Sequence, residues 1–126
     1  MDGRTCPLVV VVEDLIFATK IRATAASLGI PVHQVRDASG LTAALEQRRP
    51  RGVVVDLSLA GDPIELVRIA AAHASAPTVI AFVAHVESEL AAAAHAAGAH
   101  QVMPRSRFST QLPAILQSVA NREIEA

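Results

Sequence analysis

Two short runs of valine, each ending on acid, constrain this chain more than anything else in it. One is Leu8-Val9-Val10-Val11-Val12, followed by Glu13 and Asp14; the other is Val53-Val54-Val55, followed by Asp56. Consecutive β-branched residues suit a strand covered on both faces, as in a parallel sheet with helices packed above and below. Gly52 breaks the chain just ahead of the second run and opens that strand. Each run then delivers its acids to the carboxyl edge of the sheet, where ligands bind in open α/β architectures. The acids either form one pocket, or each caps the helix after it, since Asp is a favoured N-cap. The same ending on two strands favours the pocket.

The rest of the chain alternates in the way such a sheet requires. Residues 8–12 form the first strand. A helix over 15–28 places Phe17, Ile21, Ala25 and Leu28 on one face, with Lys20, Thr24 and Ser27 on another, and Gly29 stops it. Residues 31–35 alternate as a short second strand. Asp37 or Ser39 caps a helix over 40–48, which turns Leu41, Ala44 and Leu45 inward before Pro50 closes it. After the third strand, Asp62 caps a helix with Pro63 at its first position, where proline is tolerated. That helix runs to about residue 74 and buries Ile64, Val67, Ile69 and Ala70. The fourth strand is 78–83. The fourth helix, 86–97, carries Val86, Leu90, Ala93 and Ala97 as its inward stripe and ends at Gly98. A short fifth strand covers 100–103. Ser109 or Thr110 caps the last helix, with Leu112, Ile115, Leu116 and Val119 inward, and residues 123–126 fray. Helical crossovers between strands make the strands parallel and the crossovers right-handed. The expected fold class is α/β: a three-layer αβα sandwich around a five-stranded parallel sheet in flavodoxin-like order 2-1-3-4-5, with residues 1–126 as one domain.

Composition narrows the function classes. A net charge of -1 gives no basic excess to hold nucleic acid or an anionic membrane. The chain has no Trp or Tyr on which bases or sugars could stack. Cys6 is the only cysteine, which fits a reducing cytoplasm and rules out an internal disulfide. No apolar run is long enough for a membrane span. The five histidines, at 33, 73, 85, 95 and 100, show no metal-ligand spacing. His85 falls just past the fourth strand. It is either a solvent-facing loop residue or a polar group on the active edge. No glycine-rich phosphate cradle is present, and Glu13 with Asp14 would repel a flavin phosphate after the first strand.

Element order and acid spacing together resemble the receiver domain of bacterial response regulators, over about residues 7–121. The residues that carry the likeness are Glu13 and Asp14 after the first strand, Asp56 at the end of the third, and Gly98-Ala99 between the fourth helix and the fifth strand. The resemblance implies that Asp56 accepts a phosphoryl group from a phosphohistidine. It implies Mg²⁺ as cofactor, held by Asp14 and Asp56, by the backbone carbonyl of Ser58, and by Glu13 through water. The implied partners are a sensor histidine kinase or phosphotransfer protein upstream and a regulated protein downstream. No direct contact with nucleic acid or membrane is implied. The chain is expected to be a monomer or weak homodimer, cytoplasmic, and not an enzyme in its own right.

The departures from the family pattern are as informative. Val83 stands at the family's Thr/Ser position and has no hydroxyl for a phosphoryl oxygen. Arg105 stands at the position of the family lysine, and Ser106 at that of the usual proline. An arginine keeps the charge in a longer, planar form. Val102 replaces the usual aromatic switch residue, and the loop after Asp56 is short. The metal and acceptor half of the site is present and the sensing half is altered. The first expectation is a phosphoaccepting receiver that takes a phosphoryl group on Asp56 with Mg²⁺ and regulates a partner; the alternative is a pseudo-receiver that binds partners independently of phosphate; ranked last is an unrelated metal-dependent α/β phosphatase, which lacks an evident general acid.

Overall fold

Parallel hydrogen-bonded ladders join five strands into one sheet in the order β2-β1-β3-β4-β5. The strands are β1 (Leu8–Val11), β2 (Val32–Val35), β3 (Gly52–Asp56), β4 (Thr78–Val83) and β5 (Gln101–Pro104). A computed structural model of the chain describes residues 7–85 and 87–120. The expectations for Cys6, Val86 and the tail at 123–126 lie outside the described residues. Every residue of β1 and β3 is buried, as valine runs covered on both faces require.

Side chains alternate across the sheet and fill two cores. Val9, Val11, Val53, Val55, Ala81 and Val83 pack with Leu41, Leu45, Leu66, Val67 and Ala94. Leu8, Val10, Val54, Ile80 and Phe82 pack on the other side with Phe17, Ile21, Phe108, Leu112 and Leu116. Helices α2 (Ala38–Arg48), α3 (Pro63–Ala72) and α4 (Ser88–Ala97) therefore cover one face. Helices α1 (Leu15–Ser27), α5 (Arg105–Thr110) and α6 (Leu112–Ala120) cover the other. This is the expected three-layer sandwich. Among the described residues, no helix is long and apolar enough to cross a membrane.

Local chemistry sets the helix starts. Asp37, rather than Ser39, caps α2 by accepting the Gly40 N–H at 2.8 Å. Asp62 caps α3 by accepting the Glu65 N–H at 3.1 Å, with Pro63 at the first turn. Three elements differ from expectation. In α3 Leu66 joins Val67 and Ala70 in the core, while Ile64 and Ile69 are half-buried. In α4 the inward stripe is Leu90, Ala94 and Ala97, and Ala93 is exposed. Ser109 and Thr110 lie inside a helix, where Ser109 Oγ accepts from Lys20 Nζ and the Thr110 hydroxyl donates to the Ser106 carbonyl at 2.9 Å. The chain turns helical at Arg105, directly after β5, and α6 follows after Gln111. The cause is Phe108, fully buried and stacked on Phe82 at 4.8 Å between ring centroids. That anchor fixes a helical turn that periodicity alone does not show, and it places Arg105 at the carboxyl edge of the sheet.

Candidate functional site

Strand β3 ends on Asp56, which is only 4% exposed and is the buried polar residue among the described residues. The loop beyond it is pinned on alternate residues. Leu57 and Leu59 are buried, the Leu57 N–H donates to the Phe82 carbonyl at 2.9 Å, and the Leu59 N–H donates to the Asp56 carbonyl at 3.2 Å. Ser58 is left exposed between them, with its N–H donating to Asp56 Oδ1 at 2.8 Å. One carboxylate oxygen of Asp56 is thus fixed by backbone, and Oδ2 is left to face the edge.

On the neighbouring strand the chain leaves β1 through buried Val12 and reaches Asp14. Asp14 Oδ1 accepts the N–H groups of Ile16 at 2.9 Å and Phe17 at 3.1 Å, so Asp14 caps α1. Its Oδ2 faces the same edge as Asp56. Capping and pocket are therefore not exclusive: each oxygen of Asp14 serves one of them.

Arg105 joins the two acids. Its Nη1 lies 3.6 Å from Asp14 Oδ2 and its Nη2 lies 3.5 Å from Asp56 Oδ2. These are ion-pair separations, longer than a charge-assisted hydrogen bond. The guanidinium rests on aromatic faces, with Cζ 4.8 Å from the Phe17 centroid and 5.7 Å from that of Phe82. Phe17, Phe82 and Phe108, all the phenylalanines of the chain, pack together, with Phe17 edge-on to Phe82 at 5.1 Å. Arg105 Nε is buried and makes no hydrogen bond. Cation–π contacts of this kind contribute about 0.5–2 kcal/mol each, depending on desolvation. The larger consideration is Asp56. A buried carboxylate without a counter-charge is strongly destabilising, and Arg105 supplies that charge.

The structure places the other expected site residues as follows. Glu13 is exposed and does not join Asp14 and Asp56 in a cluster. Among the described residues no three His, Cys, Asp or Glu side chains lie close enough together to hold a metal ion. Val83 is buried in the core on the α2–α3–α4 side, and Val102 is half-buried on β5. His85 is exposed after β4. His33 on β2 titrates below the ordinary 6.5, first through burial and then through the Arg48 guanidinium, and it lies beyond β1 from Asp56. His73 bonds to Glu46 and Ser75 at 2.9 and 2.8 Å, and His100 Nδ1 accepts the Val79 N–H at 3.0 Å. Sequence reasoning missed the aromatic bed of Arg105. Phe82 immediately precedes Val83 and Phe17 comes three residues after Asp14, but only the fold brings the two rings under Arg105.

A hard divalent ion such as Mg²⁺ asks for near-octahedral oxygen ligation. Here one oxygen of each carboxylate is held by backbone N–H groups and the other faces a guanidinium. As arranged, the donor set does not fit the ion.

Neither a family model nor a curated protein matches the sequence. The fold matches solved receiver domains. A CheY-like response regulator receiver domain from Methanospirillum hungatei superposes with a TM-score of 0.82 at 17% identity, over 97% of this chain and 99% of that one. A CheY chemotaxis protein of Vibrio cholerae gives 0.80 at 15% identity, over 91% and 98%. The receiver domain of a sensor histidine kinase from Pseudomonas aeruginosa, solved with a magnesium ion in its active site cleft, gives 0.77 at 22% identity, over 93% and 98%. The chain therefore has the receiver fold, the CheY-like version of the flavodoxin-like sheet.

Proposed function

We propose that this chain is a receiver-type signalling module of a two-component pathway that regulates a downstream protein by binding it, without an acyl phosphate on Asp56 as its switch. The observation that carries this reading is Arg105, whose guanidinium already closes the Asp14–Asp56 pair. Two carboxylates and one guanidinium leave the edge negative, and a phosphoryl dianion arriving without further cations is repelled. Val83 adds to this, because it offers a phosphoryl oxygen no donor. On this reading the module is a cytoplasmic, non-enzymatic adaptor, monomeric or weakly dimeric. The test is intact-mass measurement after incubation with acetyl phosphate and Mg²⁺, under conditions that label an ordinary receiver. No phosphoryl adduct is expected.

A second reading is favoured by one observation: Asp56 ends β3 at the carboxyl edge with Asp14 beside it. In that case Asp56 Oδ2 attacks the phosphorus of a phosphohistidine on a kinase or phosphotransfer protein. The P–N bond breaks, its electron pair leaves with the imidazole, and Arg105 must first come off Asp56. One acid-labile adduct that disappears in Asp56→Asn would establish this reading in place of the first.

A further inference from the structure

At the edge where the receiver fold places acids for a metal, this chain carries its own cation. We propose that Arg105 is a built-in counter-ion that holds Asp14 and Asp56 in one metal-independent arrangement, so that divalent cations do not engage the acid pair of the wild-type chain. The proposal deepens the adaptor reading and rests on it.

Three observations carry it. First, Arg105 spans two elements with one planar group: Nη1 faces Asp14 at the start of α1 and Nη2 faces Asp56 at the end of β3. A lysine ammonium is a single point of charge, whereas the guanidinium presents two donors side by side and is weakly hydrated, so it tolerates a half-buried position. Second, the group is bedded. It lies over Phe17 and within reach of the Phe82 ring, with Nε buried. To free both Oδ2 atoms for a metal, Arg105 must give up its ring contacts as well as its ion pairs. Third, the backbone from which it projects is fixed. Arg105 directly follows β5, whose Met103 and Pro104 register with Phe82 and Val83, and it opens the helix that Phe108 anchors. The side chain is therefore presented to the acids rather than searching for them. A divalent ion would have to displace a counter-charge already in contact with both carboxylates, and its gain is only the difference between the two cations.

The test uses Mn²⁺ as a paramagnetic probe. Broadening of the backbone amide signals of Asp14, Asp56 and Ser58 is followed in wild type, Arg105→Ala, Arg105→Lys and the double variant Arg105→Ala/Asp56→Asn. The Tm of each is measured with and without Mg²⁺. Wild type should show no broadening confined to these amides and no Mg²⁺-dependent rise in Tm. Arg105→Ala should gain both, with divalent-ion binding tighter by on the order of tenfold, and the double variant should lose the gain. Arg105→Lys keeps charge without the fork or the ring stacking and should fall between; it decides the matter if Arg105→Ala does not fold. Broadening at Asp14 and Asp56 in wild type overturns the proposal, as does the lack of any gain in both Arg105 variants. Metal bound by wild type without a phosphoryl adduct on Asp56 defeats this proposal and leaves the adaptor reading. An adduct on a chain that binds no metal defeats the adaptor reading and leaves Arg105 as the resident cation.

Discussion

Asp14 is one residue with two tasks, and substitution can separate them. Oδ1 caps α1 and Oδ2 faces Arg105. Asn is as good an N-cap as Asp but carries no charge. Asp14→Asn should therefore keep the cap and lose only a half-exposed ion pair, a cost within about 1 kcal/mol after solvent screening. Asp14→Ala loses the cap as well and should cost about 0.5–2 kcal/mol more. Urea denaturation of the three proteins checks this; equal stability of the Asn and Ala variants would show that the cap contributes nothing. The acids themselves were legible in the sequence, because each ends a run of valines and strand ends fall at the ligand edge. The partnership with Arg105 was not. It joins residues from three elements far apart in the chain, and no local pattern encodes a bed made of Phe17 and Phe82.

At the scale of elements, the strands were legible because their signals are strong and local: β-branched runs bounded by glycine and proline. The helices were less so. In α4 six of the ten positions are alanine, so the phase of its buried stripe is ambiguous, and Ala94 rather than Ala93 meets the core. In α5 only Phe108 is buried, so there was no period to read. Glycine illustrates both levels. Gly52 signals a strand opening in the sequence, but the structure gives it a second reason: a Cβ there would sit 2.1 Å from Val119 Cγ1 on α6. A valine is stiff at χ1 and cannot easily retreat. Gly52→Ala should thus destabilise the chain by about 1–3 kcal/mol through overpacking. Adding Val119→Ala should recover part of the loss, so that the double variant costs less than the sum of the singles. Additive costs in thermal or urea unfolding would place the strain elsewhere.

For the whole molecule the question is whether an edge built from Val83, Val102 and Arg105 can act as a switch. A ligand shifts a conformational equilibrium only by contacts it makes better in one state than in the other. On the β4 side of the edge, Val83 gains no hydrogen bond to a phosphoryl group and is packed into the core under α2, α3 and α4. On the β5 side, Val102 has no ring to swing inward. Between them Phe82 is held by Phe17 and Phe108, and a ring stacked at 4.8 Å with planes 18° apart would lose its packing if it moved. Arg105 is the remaining group that could exchange one anionic partner for another. A phosphoryl mimic such as beryllofluoride should therefore perturb at most the loops around Asp14, Asp56 and Arg105, and leave α4, β5, α5 and α6 in place. Backbone amide NMR with and without the mimic, in wild type and Arg105→Ala, checks this. In wild type the expected result is no shift beyond these loops. Coherent shifts across α4, β5, α5 and α6 that persist in Arg105→Ala would mean that another residue carries the signal, and His85, exposed just beyond β4, would be the first to substitute.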